Sequence, residues 1–290
     1  MPLGTSQQTI TTGAVFIPEI WSPEVLRAAE NALVMAPLVK RFDSLVTQRG
    51  DTIHIPNLGN LTASSKTANT QVSLQAPTET DTTISLTSHY ESSFLVEDIL
   101  KVQSNYDLMA EYTSKAGESI ARRVDTDLLG TYTSFTNTDV GSYGVDITDA
   151  VVVAAAEALD LANAPIENRA FVIYPTQKSA LLRIDKFVKA DYLGQYQMAT
   201  VVRTGPNNRY MWGDIYGVPT YYTNQVTATA GTPTQYHNIM FHKEAIALAL
   251  QQSPRTQSQY ILEYLGNLVV VDVIYGYTAT RPTFGIEVRS

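Results

Sequence analysis

Hydrophobic and polar positions change their spacing several times along the chain, and each change marks a different predicted element. Near the N-terminus, Ser22 is a candidate helix cap, Pro23 suits the first helical position and Glu24 suits the first turn. The apolar positions that follow recur every three or four residues, at Leu26, Ala29, Leu33 and Ala36. We therefore expect an amphipathic helix after Ser22 that ends at Pro37.

A longer helical stripe runs through the middle of the chain. Ser104 is a candidate cap, and the pairs Glu111/Lys115 and Glu118/Arg122 have the four-residue spacing that supports a helix. Six apolar positions keep helical spacing: Met109, Tyr112, Ala116, Ile120, Val124 and Leu128. The prediction is a helix over about 104–132, roughly 40 Å long at ~1.5 Å per residue.

Residues 50–90 have a different pattern. Ile53 and Ile55 alternate with polar residues, and Ile84 and Leu86 do so again, which predicts two strands with one buried face. Between them, residues 60–83 hold 14 Ser, Thr, Asn or Gln in 24 positions. This composition fits a disordered linker, or a two-stranded arm that needs a neighbouring chain to order it, because an isolated hairpin is marginal in water. The pattern alone does not decide between the two.

From about residue 146 the pattern alternates between helical and extended segments. Thr148 is a candidate cap for a helix that stops by Pro165, and a further helix is predicted from Pro175 to Leu182. Extended segments are predicted at 171–174, 210–222, 239–241, 246–250, 268–277 and 282–289.

Composition narrows the functional classes. The 290 residues are 44% hydrophobic, enough to bury a sizeable core, but only 17% charged against a typical ~25%. The absence of Cys excludes disulfides, thiolate nucleophiles and Cys-ligated metal centres. A net charge of −8 argues against the basic surface of a tight nucleic-acid binder, while the 17 Tyr residues favour contacts with other protein.

No targeting or membrane-spanning segment is predicted. The first eight residues, Met-Pro-Leu-Gly-Thr-Ser-Gln-Gln, do not form a charged region followed by an apolar one, so we expect no signal peptide. The longest unbroken apolar run, residues 150–156, is far shorter than the ~20 residues that a span needs. We therefore expect a protein made in the cytosol, without a membrane partner.

The search for catalytic chemistry is mostly negative. The sequence has no phosphate-binding loop, dinucleotide fingerprint or Gly-x-Ser-x-Gly elbow. His237 and His242 lie five residues apart on a predicted strand, hence on opposite faces, so they cannot share a metal ion. The candidate carboxylate pairs for a soluble hydrolase are Glu97/Asp98 and Asp125/Asp127. The first is more simply a solvated turn, and the second diverges by about 200° on a helix. We predict no catalytic, cofactor-binding or metal-binding residues.

Several short stretches keep an order and spacing typical of one known family. They are Phe16-Ile-Pro-Glu-Ile-Trp21, Gly50-Asp-Thr-Ile-His-Ile-Pro56, the helix from Ser104, Arg169-Ala-Phe-Val-Ile-Tyr-Pro175, Gly213-Asp-Ile-Tyr-Gly-Val-Pro219, and Val273-Ile-Tyr-Gly-Tyr277 with Arg281-Pro282. Although no single stretch is specific, together they resemble the major capsid protein of tailed double-stranded DNA bacteriophages, the Hong Kong 97 fold. The resemblance covers nearly the whole chain.

The resemblance implies an α+β capsid fold with four parts. They are an N-terminal arm and helix (1–47), an extended β-hairpin called the E-loop (48–90), a peripheral domain containing the long spine helix (91–140 and 255–290), and an α/β axial domain (141–254). It also favours the second interpretation of residues 60–83, since in this family the E-loop reaches over an adjacent subunit. Its order would then come from a neighbour.

The implied function is structural, not enzymatic. Copies would self-assemble into pentamers and hexamers that form the icosahedral head around the phage double-stranded DNA, in a virion assembled in the host bacterial cytoplasm. The sequence before Trp21 is too short for a fused scaffold, so a separate scaffolding protein is expected beside a portal, with a decoration protein as an optional partner. Packaged DNA would be held without sequence-specific binding. The alternatives are an encapsulin-type bacterial compartment shell and, more remotely, the soluble hydrolase.

Eight residues are predicted inter-subunit contacts under this resemblance: Phe16, Trp21, Ser64, Lys66, Thr67, Asn69, Arg122 and Arg123. Lys66 lies where some family members form a Lys–Asn crosslink, but no acceptor Asn can be named, and a solvated loop lysine is the simpler interpretation. Arg122 and Arg123 are either solvated or paired with a neighbouring subunit.

Overall fold

The computed structural model describes residues 33–46, 50–58, 61–72, 74–77, 79–99, 108–184 and 211–290. Most of the helix predicted after Ser22 lies outside these ranges. Its expected last turn is within them and is not helical: residues 34–39 form bends and a turn, in which the Leu38 N–H donates to the Met35 carbonyl at 2.9 Å. Pro37 stands inside this turn, where it removes a backbone donor that a helix would use.

The helices follow the apolar stripes of the sequence. In the described ranges they are α1 (Leu108–Leu129), α2 (Asp149–Leu161) and α3 (Pro175–Leu181), with 3-10 turns at Asp43–Leu45, Gly130–Ser134 and Pro282–Phe284. Helix α1 confirms the long predicted helix, and the stripe residues Ala116, Ile120 and Leu128 are buried. Thr148 immediately precedes α2, but its side chain makes no capping hydrogen bond.

The described strands form three sheets. They are β1 (Lys40–Arg41), β2 (Thr52–Leu58), β3 (Glu79–Ser85), β4 (Ser88–Glu97), β5 (Val140–Gly141), β6 (Arg169–Ile173), β7 (Met211–Ile215), β8 (Val218–Tyr222), β9 (Ala228–Thr229), β10 (Gln235–His242), β11 (Ile246–Ile261), β12 (Gly266–Ala279) and β13 (Gly285–Arg289). One sheet has the order β1-β11-β12-β4, the second has β5-β13-β10-β6-β8-β7 with β9 beside β10, and the third is the pair β2-β3.

The four-stranded sheet carries the long helix. Strands β11 and β12 form an antiparallel hairpin, and β4 pairs with the other edge of β12. Alternate residues of β12 are buried, namely Val269, Val271, Val273 and Tyr275, because side chains point to opposite faces with a period of two. Val271, Val273 and Tyr275 join the α1 stripe in one hydrophobic core.

The seven-stranded sheet packs against α2. Its central strand β6 is buried at all five positions, as expected for a strand covered on both faces. Phe171 and Ile173 of this strand contact a core that includes the buried face of α2, at Val152, Ala155 and Leu159.

The predicted domain boundaries differ from the observed sheets in two places. The boundary drawn at 254/255 falls inside strand β11, which runs continuously through the four-stranded sheet. Strand β13, placed in the peripheral part, instead pairs with β10 and β5 in the seven-stranded sheet. Which strand pairs with which depends on long-range packing, and periodicity in the sequence does not record it.

Candidate functional site

The β2–β3 ribbon is anchored at its base in the body of the subunit. Ile84 is 0% exposed and packs with Ile53 and Leu86 against Ala247 and Ala249 of β11. These are the positions that the alternating pattern predicted to face inward. The small alanine side chains on β11 let the ribbon approach the sheet closely, so the base is part of the subunit core.

Backbone contacts fix the angle at which the ribbon leaves the body. The Leu86 N–H donates to the Asp51 carbonyl at 2.7 Å, and the Gln251 side-chain amide donates to the Gly50 carbonyl at 3.0 Å. Gly276 of β12 lies directly beneath the end of β3: a Cβ at this position would come within 2.9 Å of the Ser85 carbonyl carbon. Glycine is therefore required there by a close approach of two backbones.

The far end of the ribbon has no contact with a core. We call residues 61–72 and 74–77 the ribbon tip; every one of them is exposed. Leu74 is 93% exposed, and Leu61 and Val72 are also largely exposed. The tip keeps its shape through local polar contacts, in which the Thr62 N–H donates to Gln75 Oε1 at 3.0 Å. Such a segment offers apolar side chains that its own subunit does not bury.

Four of the eight predicted contact residues lie in the ribbon tip. Ser64, Lys66, Thr67 and Asn69 are all exposed. Asn69 has a φ of 66°, a left-handed conformation that asparagine tolerates in turns, and the Thr70 hydroxyl donates to the Thr67 carbonyl at 2.6 Å. All four residues therefore lie within the exposed ribbon tip, and their contact with a second subunit stays a prediction.

Phe16 and Trp21 lie outside the described residues. Arg122 and Arg123 lie on α1 but have different surroundings. The exposed Arg122 guanidinium is 3.6 Å from Glu118, the pair expected from the sequence. The half-exposed Arg123 guanidinium contacts groups of its own subunit: it donates to the Tyr90 hydroxyl at 2.7 Å and lies 2.9 Å from Asp127.

Asp127 is the centre of a polar cluster that joins α1 to the four-stranded sheet. The buried Tyr275 hydroxyl donates to Asp127 Oδ2 at 2.7 Å, and the Tyr90 ring lies beneath the Arg123 guanidinium at 4.5 Å. Burial and the hydrogen bond to Asp127 raise the pKa of Tyr275 far above its usual range. The Arg123 charge compensates the buried carboxylate, so the cluster holds helix and sheet in register.

Asp125 is buried on a different side of the same helix. Its Oδ2 accepts the Val34 N–H at 2.7 Å and its Oδ1 accepts the Met35 N–H at 3.0 Å. Sequence reasoning considered Asp125 and Asp127 only as a catalytic pair and missed both structural roles. The available signal was their position beside the stripe residues Val124 and Leu128, where a helix should be apolar.

A buried contact between His237 and Glu287 holds the last strand. His237 Nδ1 lies 2.6 Å from Glu287 Oε1, and the Tyr143 hydroxyl donates to the same oxygen at 3.0 Å. The Tyr132 ring stacks on His237 with centroids 4.4 Å apart. These contacts link β10, β13 and the segment before α2. The His237, Glu287 and Tyr143 side chains thus have a structural role here.

Two further properties bear on function. In the ranges that the structure describes, no three His, Cys, Asp or Glu side chains gather in a way that could hold a metal ion. Over the same ranges, every helix is too short or too polar to cross a bilayer.

The sheets, the long helix and the projecting ribbon together define the class: this is a capsid subunit of the Hong Kong 97 type. A family model described as phage capsid protein matches residues 41–281. The chain therefore belongs to the phage capsid protein family, and it is a major capsid protein. Capsid proteins self-assemble into a shell and are components of the virion. A comparison with curated proteins finds no match.

Solved structures agree on the fold. A structure of Mycobacterium phage Che8 is similar with a TM-score of 0.71 and 23% identity, covering 88% of this chain and 90% of that one. The capsid of Ralstonia phage GP4 is similar with a TM-score of 0.67 and 13% identity, and 87% of each chain is covered. A virus-like particle from Pyrococcus furiosus is similar with a TM-score of 0.61 and 11% identity, covering 94% of this chain and 99% of that one.

Proposed function

We propose that copies of this protein assemble into pentamers and hexamers, and that these form the icosahedral head enclosing the double-stranded DNA of the phage. The observation that carries the proposal is the ribbon tip, which is exposed at every described residue although its base is anchored in the subunit. Burying a leucine side chain stabilises by about 1.5–3 kcal/mol, so the exposed Leu61 and Leu74 favour a contact with a second copy.

In this proposal residues 48–90 are the E-loop that bridges subunits. The peripheral domain is built on α1 and the four-stranded sheet, and the axial domain on the seven-stranded sheet, which moves strand β13 into the axial domain. Each bridging contact is modest on its own. Many identical contacts act together in a closed shell, so their combined stability is large while each one stays reversible during assembly.

The proposed partners follow from the same function. A separate scaffolding protein guides assembly in the host bacterial cytoplasm, a portal occupies one vertex, and a decoration protein is an optional addition. A net charge of −8 suits a wall that encloses dense polyanionic DNA without binding any sequence tightly. The shell subunit carries no enzyme activity in this proposal.

The test is electron microscopy of particles formed by the full-length protein with its ribbon tip altered. Replacing Leu61 and Leu74 together by Ser removes the two exposed leucines. The matched control replaces Ala63 and Ala76, exposed residues of the same tip, by Ser. We expect far fewer shells from the leucine variant and a normal yield from the control, with unchanged thermal unfolding of the free subunit in both. A normal shell yield from the leucine variant would contradict the bridging role.

A second candidate is an encapsulin-type shell that encloses a protein cargo. It is favoured by one observation, the similarity to the virus-like particle from Pyrococcus furiosus, which extends over 94% of this chain. Purified particles treated with nuclease distinguish the two functions. A protected DNA genome supports the phage head, whereas a single co-purifying enzyme without DNA supports the compartment.

A further inference from the structure

A buried carboxylate holds the first described residues of the chain against the long helix. The Asp125 side chain on α1 is 1% exposed. Its two oxygens accept the successive N–H groups of Val34 and Met35, at 2.7 and 3.0 Å. We call this contact the Asp125 latch. Two successive backbone donors on one carboxyl group fix both the position and the direction of the chain that carries them.

Apolar packing closes the latch off from water. Met35 and Val39 are buried on one side of the contact, and the α1 residues Val124 and Leu128 are buried in the same cluster. The Asp125 carboxyl group can therefore be hydrated only if residues 34–39 leave the helix. Docking of this segment and desolvation of the carboxyl group are the same event.

In the part of the chain that the structure describes, the cations on the elements around the latch contact other partners, so none of these neutralises Asp125. On α1, Arg122 contacts Glu118, and Arg123 contacts Asp127. In β1, which follows the docked segment, Lys40 contacts Glu244 and Arg41 contacts Asp43, and Arg281, which follows β12, also contacts Glu244. On the strands of the same core, His237 faces Glu287 and Arg255 faces Asp272, and the His242 ring accepts the Glu244 N–H.

We propose that the Asp125 latch couples docking of residues 34–39 on the long helix to the uptake of one proton. Burial raises the pKa of Asp125 to about 7, although the two N–H donors oppose this. When the segment leaves the helix, the carboxyl group meets water and its pKa returns to the ordinary 3.8. Between pH 3.8 and about pH 7, the docked state therefore holds a proton that the released state has lost.

The direction of the effect follows from linkage. A group whose pKa is higher in the docked state stabilises docking fully below the released value, and this contribution is lost as the pH rises through the docked value. Docking should thus be strong in mild acid and weaken toward pH 8. Between these limits the docking equilibrium changes by up to about tenfold per pH unit.

The test is amide hydrogen exchange of the full-length protein, followed by mass spectrometry of peptides covering residues 33–39. Protection factors, corrected for intrinsic exchange, are measured at pH 5.5 and 7.5, and size-exclusion chromatography checks that the assembly state is the same at both. We expect roughly tenfold or greater loss of protection at the higher pH. The measurement needs no shell, so its failure is separate from any failure of the assembly proposal.

Two variants isolate the carboxyl group. Asp125→Asn keeps the shape but cannot titrate, and we expect its protection at 33–39 to be the same at both pH values. The matched control is Glu118→Gln, which removes an exposed carboxylate about two turns away on the same helix and should keep the wild-type pH dependence. Equal protection at the two pH values in the wild-type protein, or protection that rises with pH, would overturn the proposal whether or not Asp125→Asn folds. So would a pH dependence that persists in Asp125→Asn.

Discussion

Gly276 separates two backbones that the ribbon brings into contact, so its replacement by Ala should lift the ribbon base off the sheet. An alanine Cβ would lie 2.9 Å from the Ser85 carbonyl carbon and 3.0 Å from the Ile84 Cγ2 methyl group, and nearer still to the Ser85 carbonyl oxygen. Ordinary contacts between carbon atoms are about 3.5–4.0 Å. The end of β3 must therefore move by roughly 0.5–1 Å, and because the obstacle is backbone it cannot rotate away.

The expected cost is that of overpacking a close-packed region, about 1–3 kcal/mol. For a chain of this size that corresponds to a fall of about 2–5 °C in the Tm of the unassembled subunit. A second effect follows from the length of the ribbon, since β2 alone has seven residues and spans roughly 23 Å at ~3.3 Å per residue. A small tilt at the base is magnified at the tip, so shell yield should fall further than the Tm alone suggests.

Differential scanning calorimetry of the free subunit gives the Tm, and sedimentation followed by electron microscopy gives the shell yield. Gly213→Ala in β7 is the matched control, because a Cβ there meets nothing within 4 Å and the backbone is not left-handed. We expect its Tm to stay the same or rise slightly. A Gly276→Ala subunit with the wild-type Tm and yield would refute the reasoning from the close approach.

Two further substitutions test the polar contacts of the four-stranded sheet. Tyr275→Phe removes the hydroxyl that donates to the buried Asp127 and should lower the free energy of unfolding in urea by about 1–3 kcal/mol; no change would show that the hydroxyl is dispensable. Burial alone would raise the pKa of Asp272, but the hydrogen bond and charge of Arg255 hold it below the ordinary 3.8. The stabilisation is present above that value and is lost in stronger acid. In Asp272→Asn the free energy of unfolding should therefore fall less steeply between pH 5 and 2. An unchanged dependence of this free energy on pH would contradict the role of Asp272.

Much of the fold could be predicted because the chain uses clear periodicities. Five of the six stripe residues from Met109 to Leu128 are buried along α1, Tyr112 being exposed, and the alternation of Ile53 and Ile84 predicted the inward face of the ribbon. Proline at the first position of α3 also marked its start as expected. These features are local, since each depends on residues a few positions apart, and such patterns carry over directly from sequence to structure.

Contacts between distant segments could not be predicted in the same way. Asp125 is separated by 91 residues from Val34, whose N–H it accepts, and nothing in the local pattern of either segment indicates the other. An aspartate on a helix is most often solvated, so its chemistry gave no signal beyond its place beside an apolar stripe. The same holds for the hydrogen bond from Arg123 to the Tyr90 hydroxyl, which joins two residues 33 positions apart.

The base and the tip of the ribbon affect two different quantities: the stability of a single copy and the stability of its contact with a second copy. At its base, Ile84 is fully buried within the subunit, so a change there alters the free energy of unfolding of a single copy. At its tip, every described side chain is exposed, so a change there leaves that free energy nearly untouched and acts only when a second copy is present. Sequence composition could not separate the two, because a polar linker and a polar bridging tip look alike until the anchored base is seen. The anchored base favours the bridging tip. The Leu86 N–H donates to the Asp51 carbonyl, which joins two residues 35 positions apart, so both ends of the segment between them are fixed to the body.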